Sequence, residues 1–74
     1  MPDHPLLSNR LADWRTKAGW TQAELARRVS VSRKSINTIE NGVFVPSTIL
    51  ALRLAAAFGC SVHDIFALPD AAGS

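Results

Sequence analysis

The sequence is poor in cysteine: its 74 residues include one, Cys60, and no tyrosine. A single cysteine cannot form an intramolecular disulfide, and small secreted domains usually depend on such bridges. We therefore expect a cytoplasmic protein. No second cysteine is available to resolve an oxidised Cys60, so this residue is interpreted as a small hydrophobic side chain and not as a redox sensor.

Long hydrophobic runs are also missing. The longest apolar stretch, residues 49–62, is interrupted by Arg53, Gly59 and Ser61. A membrane-spanning helix requires about 20 consecutive apolar residues, and a signal peptide begins with a basic segment that residues 1–9 lack. The sequence therefore predicts neither a membrane segment nor a signal peptide.

Residues typical of catalytic and metal sites are sparse. His4 and His63 are far apart in the sequence, and adjacent His63 and Asp64 would point about 100° apart on a helix. The sequence contains no glycine-rich phosphate loop and no Cys/His pair with the spacing of zinc ligands. We expect no enzyme, no metal, no cofactor and no small-molecule ligand.

The composition is that of one small folded domain, with 47% hydrophobic and 19% charged residues. The formal net charge is only +2, but all eight basic residues lie between Arg10 and Arg53. That segment contains three acidic residues, Asp13, Glu24 and Glu40. The local excess of positive charge indicates a polyanionic partner, because polyanion binding follows the local potential.

Apolar residues recur at spacings of three and four, and no segment alternates with the period of a strand. The pattern predicts an all-α domain of five helices over residues 8–68, with flexible ends at residues 1–7 and 69–74. Residues that favour helix N-termini precede the apolar runs at Ser8, Thr21, Ser32, Ser47 and Ser61.

Only Ser30 and Val31 separate the second predicted helix, residues 22–29, from the serine that caps the third. Thr21 and Glu24 form a capping box at the start of the second helix. Two helices joined by so short a turn must cross sharply, which is the arrangement of a helix-turn-helix motif.

The fourth predicted helix is apolar at every position from Ile49 to Phe58 except Arg53. This apolar surface is wider than the stripe of about 100° that an ordinary surface helix buries. Two interpretations stay open: a central helix buried on several sides, or a helix that partly contacts a second subunit. The candidate dimer contacts are Ile49, Ala56, Val62, Ile65, Phe66 and Leu68.

Three blocks of the sequence carry a resemblance to a known family. They are Gln22-Ala23-Glu24-Leu25-Ala26, Val31-Ser32-Arg33-Lys34-Ser35-Ile36 and Ile39-Glu40-Asn41-Gly42, the last followed by Pro46-Ser47. The chain resembles the lambda-repressor-like, or Cro/C1-type, helix-turn-helix family over about residues 9–68. The resemblance implies a repressor that binds double-stranded DNA as a homodimer, through the major groove of an inverted-repeat operator. An antitoxin or a bridging cofactor with the same fold is the alternative.

The third helix would be the recognition helix. With Ile36 and Ile39 facing the core, its outward side carries Arg33, Lys34, Asn37, Thr38 and Asn41. The resemblance makes Arg33, Lys34, Asn37 and Thr38 candidate base contacts. Many relatives have glutamine in place of Lys34, so we expect a different operator, one that contains guanine. Candidate phosphate contacts are Arg10, Thr21, Gln22, Ser32, Ser35 and Asn41.

Three further residues have structural interpretations. The resemblance implies that Arg15 and Glu40 form a partly buried ion pair between the first and third helices. Phe44 cannot donate to phosphate, so we expect it to cover the domain beside Val43 and Val45.

Overall fold

The computed structural model describes residues 6–69. Five helices lie within them: α1 Leu11–Lys17, α2 Gln22–Arg28, α3 Arg33–Glu40, α4 Thr48–Phe58 and α5 Val62–Ile65. The predicted five-helix fold is confirmed. Most of the ends predicted to be flexible, residues 1–5 and 70–74, lie outside the described range. No helix in the described range is long and apolar enough to cross a membrane.

A two-stranded sheet closes the domain: β1 Ser8–Asn9 pairs antiparallel with β2 Phe66–Ala67. Two residues per strand are too few to show the alternation of apolar and polar residues that marks a strand. The sequence therefore does not predict this pairing. The prediction that Ser8 caps α1 is wrong, since the Ser8 hydroxyl donates to the Ala67 carbonyl at 3.2 Å. Instead, the Asn9 side-chain oxygen accepts from the Leu11 amide at 3.1 Å.

The other predicted N-terminal caps are present, but the capping box predicted for Thr21 and Glu24 is only half formed, because the Glu24 carboxylate pairs with Arg27 and Arg28 and not with the Thr21 amide. Thr21, Ser32 and Ser47 each accept a backbone amide hydrogen bond from the residue three positions later. Ser61 begins α5, where the Asp64 carboxylate accepts from the Ser61 amide at 2.9 Å. These bonds satisfy amides that a helix N-terminus otherwise leaves unpaired, so the sequence locates these starts well.

Helices α2 and α3 pack directly against each other across a tight turn. The Val31 amide donates to the Ala26 carbonyl at 3.0 Å, and Ser30 has a φ of +62°. Ser30 is the one non-glycine residue with positive φ in the described part of the chain. The left-handed conformation at Ser30 lets the chain reverse within two residues and gives the helix-turn-helix its sharp crossing.

Helix α4 is buried along one side. Leu50, Leu54 and Ala55 belong to the core, whereas Ile49 and Leu52 are 65% and 57% exposed. The interpretation of α4 as a helix buried on several sides is therefore wrong. The fully buried large side chains come from all five helices and are Leu11, Leu25, Ile36, Ile39, Leu54 and Ile65.

The structure corrects part of the predicted dimer surface. Ile65 and Phe66 are only 1% and 5% exposed, because α5 and β2 turn them into the core of the protomer. They therefore offer no surface to a second subunit. The other four candidates, Ile49, Ala56, Val62 and Leu68, are exposed or half-buried.

Candidate nucleic-acid interface

The outward side of α3 presents charged and amide side chains. Arg33, Lys34 and Asn37 are exposed, and Thr38 is half-buried. Within residues 6–69, neither Arg33 nor Lys34 has a hydrogen-bond or ion-pair partner. Both cations are therefore free to donate to an external acceptor.

Thr38 differs from the two cations because it is already engaged. Its hydroxyl donates to the Ser35 carbonyl at 3.0 Å, and its own carbonyl accepts from the amides of Val43 and Phe44. The hydroxyl oxygen and the methyl group are what Thr38 can still present to a base. Such a methyl suits apolar contact with the methyl group of thymine.

Two other basic residues of the motif share one acidic partner on their own helix. Arg27 and Arg28 both pair with Glu24 on α2, the latter at 2.7 Å from guanidinium nitrogen to carboxylate oxygen. The hydrogen bond from Arg27 is the main cause that lowers the pKa of Glu24. Within the described residues, the cations of the motif that lack an acidic partner are therefore Arg33 and Lys34, at the start of α3.

A nearly buried ion pair joins α1 to the end of α3. The Arg15 Nε donates to Glu40 Oε2 at 2.6 Å, and a second guanidinium nitrogen donates to Oε1 at 3.2 Å. The third nitrogen donates to the Trp20 carbonyl at 2.9 Å. The side chains are 17% and 7% exposed. The pair therefore fixes how α3 sits on the domain.

A chain of three side-chain amides, which we call the amide chain, leads from this ion pair to the surface. Gln22 Nε2 donates to Glu40 Oε1 at 3.0 Å. Asn37 Nδ2 lies 3.5 Å from Gln22 Oε1, and Asn41 Nδ2 donates to Asn37 Oδ1 at 3.2 Å. The amide chain connects the first residue of α2 with the last turn of α3 and with Asn41, the residue that follows it. The sequence does not predict the amide chain, because nothing in the spacing of these three residues distinguishes them from solvated side chains.

The candidate phosphate contacts do not all lie on one surface. Thr21 and Ser32 cap α2 and α3, and the hydroxyls of Ser32 and Ser35 are 3.0 Å apart. Together with Gln22 and Asn41, these three residues form the part of the set that lies on or next to α2 and α3. Arg10 instead lines clefts with residues of α1, α5 and β2.

The loop after α3 also differs from expectation. Val43, Phe44 and Val45 are 71%, 50% and 44% exposed, so Phe44 does not cover the domain as predicted. The backbone of the loop is nevertheless fixed, since the Val43 and Phe44 amides both bond to the Thr38 carbonyl. Asn9, for which the sequence predicts no role, donates from its side chain to the Ile39 carbonyl at 3.1 Å.

The described residues contain no metal-binding cluster. No group of three His, Cys, Asp or Glu side chains between residues 6 and 69 could hold a metal ion. Burial, with a smaller contribution from Asp64, raises the pKa of the Cys60 thiol. A protonated thiol is a poor nucleophile, which agrees with its interpretation as a small hydrophobic residue.

Comparisons with known proteins identify relatives of the whole domain. The helix-turn-helix family HTH_3 matches residues 11–65. The chain is 34% identical over 64 residues to YgzD, an HTH-type transcriptional regulator of Bacillus subtilis, and the match covers 86% of this chain and 97% of YgzD.

Two solved structures have the same fold. The SOS-response transcriptional repressor LexA from Eubacterium rectale superposes with a TM-score of 0.70 at 30% identity, covering 73% of this chain and 57% of that one. A chain of the SinR protein/SinI protein complex gives 0.70 at 27% identity, with coverages of 74% and 54%. The match thus spans little more than half of each solved chain. With the family match over residues 11–65, these findings show that the protein belongs to the Cro/C1-type helix-turn-helix family of DNA-binding transcriptional regulators, which are not enzymes.

Proposed function

We propose that this regulator is a repressor that reads its operator with α3 in the major groove. The observation that carries the proposal is the pair of exposed cations, Arg33 and Lys34, at the start of α3 without an acidic partner in residues 6–69. Arginine and lysine both donate to O6 and N7 of guanine. We therefore expect guanine in each half-site, with Thr38 against a neighbouring thymine.

The phosphate contacts in this proposal are the polar side chains that surround α3. They are Thr21, Gln22, Ser32, Ser35 and Asn41, and they would fix the register of the protein on the duplex without reading sequence. Arg10 is left out of this set, because it lines clefts on the side of α1 and α5.

The protein would act as a homodimer on an inverted repeat. The support is the exposed apolar side of α4, where Ile49 and Leu52 are more than half exposed, together with Leu68 at 66%. Pairing two copies there would cover these side chains, and the two α3 helices would enter successive major grooves about 34 Å apart. The likeness to LexA, which is named a transcriptional repressor, supports a protein that represses transcription by occupying a promoter. It would act in the cytoplasm, where the DNA lies.

Selection of binding sites from random duplex DNA tests the proposal. We expect an enriched inverted repeat with guanine in each half-site, and sedimentation should show a dimer on that DNA. A selection without an enriched sequence would contradict specific recognition. One bound protomer per enriched site would contradict the dimer.

A protein-interaction module with this fold is the second candidate. One observation favours it: a chain of the SinR protein/SinI protein complex has a similar fold. Electrostatic binding to phosphates strengthens as salt is lowered. Absence of any DNA affinity at low salt would therefore favour the interaction module over the repressor.

A further inference from the structure

We infer that Asn37 is a positioning residue, which holds the phosphate-contacting amides of Gln22 and Asn41 in place and does not read a base. The inference rests on the proposed DNA-binding function. It removes Asn37 from the set of candidate base contacts and confines base reading to Arg33, Lys34 and Thr38.

Both polar atoms of the Asn37 side chain are occupied inside the protein. Its Nδ2 faces Gln22 Oε1 at 3.5 Å, and its Oδ1 accepts from Asn41 Nδ2 at 3.2 Å. An asparagine that reads adenine uses its nitrogen and oxygen together, on N6 and N7. Asn37 already commits one N–H and one lone pair of Oδ1 inside the protein, so Gln22 and Asn41 fix the direction of its amide, whereas the Arg33 side chain has no internal partner within residues 6–69.

The orientation of each amide follows from the charge at the buried end of the amide chain. An ionised carboxylate only accepts hydrogen bonds, so Gln22 must turn its NH2 group toward Glu40. That leaves Gln22 Oε1 facing Asn37, which in turn presents its own NH2 group and leaves Oδ1 for Asn41. The direction of donation is therefore the same along the whole amide chain, from Asn41 inward to Glu40.

This arrangement leaves donors where a phosphate needs them. Each NH2 group has two hydrogens, and the amide chain uses one on Gln22 and one on Asn41. The remaining N–H of each residue is available to a phosphate oxygen, which only accepts. Asn37 sits between these two side chains and is the contact through which the orientation of Gln22 determines that of Asn41.

The test measures affinity for the selected operator and for every single-base variant of it. Asn37→Ala should weaken binding to all sequences by a similar factor, about 5-fold, and leave the preference at each position unchanged. Arg33→Ala is the matched control on the same face, and it should instead reduce discrimination at one position by about 10- to 100-fold. A base-specific loss in Asn37→Ala would overturn the inference.

Asn37→Asp provides a second and sharper readout. Aspartate accepts from the N4 amino group of cytosine, so a base-reading residue 37 would change its preferred base in this variant. A positioning residue would instead weaken all sequences alike, because aspartate cannot donate to Gln22 Oε1. Circular dichroism of the variants should match the parent, since Asn37 is exposed.

A double-mutant cycle tests the connection to Gln22. If Asn37 acts through Gln22, the Gln22→Ala/Asn37→Ala protein should lose clearly less affinity than the product of the two single losses. Losses that multiply in full would overturn the inference while leaving DNA binding intact. Failure of the parent protein to bind any duplex at low salt would instead overturn the proposed function, and the inference with it.

Discussion

The outward sides of α3 and α4 are both exposed, but their chemistry is opposite. Helix α3 presents two free cations and an amide, whereas α4 presents Ile49 and Leu52 around a single arginine, Arg53. The hydrogen-bond donors on α3 match the acceptors on the phosphates and base edges of DNA. Covering these donors with another protein surface would gain little free energy. An apolar surface gains free energy when a second protein surface removes it from water. The same small core thus supports two surfaces suited to different partners.

The two helices are also held in the domain by different means. Helix α4 is fixed by apolar packing of Leu50, Leu54 and Ala55. Helix α3 has Ile36 and Ile39 in the core and, in addition, the Arg15–Glu40 ion pair at its end. Bidentate hydrogen bonds between guanidinium and carboxylate are directional. The ion pair therefore fixes the orientation of α3, whereas the two isoleucines fix how closely α3 packs against the core.

Breaking that ion pair should have the largest effect on stability. Arg15→Ala leaves the Glu40 carboxylate, only 7% exposed, without its cation, and we expect the free energy of unfolding to fall by about 3 to 5 kcal/mol. Urea unfolding of parent and variant measures the loss. Arg27→Ala is the control, because it removes an exposed partner of Glu24 and should change stability little. Equal losses in the two variants would contradict a special role for the buried pair.

A charge on the apolar side of α4 should have the next largest effect, and it should act on assembly. Ile49→Asp is expected to dissociate the proposed dimer and to weaken binding to the full inverted repeat by about 100-fold, because the second half-site no longer adds to the affinity. Titration of DNA that carries a single half-site provides the control. The parent and the variant should bind this DNA with equal affinity. A variant that remains dimeric in sedimentation would show that the protomers pair elsewhere.

Two unpaired arginines allow the faces to be compared directly. Arg33 on α3 and Arg53 on α4 are both exposed and lack an acidic partner within the described residues. Arg33→Ala should cost about 1 to 3 kcal/mol of discrimination at one operator position, whereas Arg53→Ala should leave the base preference unchanged. Competition assays with single-base operator variants measure both. An altered base preference in Arg53→Ala would place α4 against the DNA.

The helices, and the starts of all but α1, could be predicted from local signals, because caps such as Thr21 and Ser32 act within three residues of the chain. The free cations of α3 followed from the same periodicity once Ile36 and Ile39 were assigned to the core. Contacts between distant residues could not be predicted in this way. The β1–β2 pairing joins residues nearly 60 positions apart, and the amide chain depends on side-chain directions that sequence spacing does not contain.

The smallest expected effect lies in the turn that sets the angle between α2 and α3. Ser30 has a φ of +62°, a conformation that costs an L-residue about 1 to 2 kcal/mol but is open to glycine. Glycine has a larger entropy in the unfolded chain, which offsets part of that gain, so Ser30→Gly should raise the free energy of unfolding by about 0.5 to 1 kcal/mol. Ser35→Gly, within α3, is the matched control and should lower it by about as much, since its backbone is helical. If the turn carries this strain, thermal unfolding should show a higher midpoint temperature for Ser30→Gly and a lower one for Ser35→Gly than for the parent. A lower midpoint in both variants would show that Ser30 is unstrained.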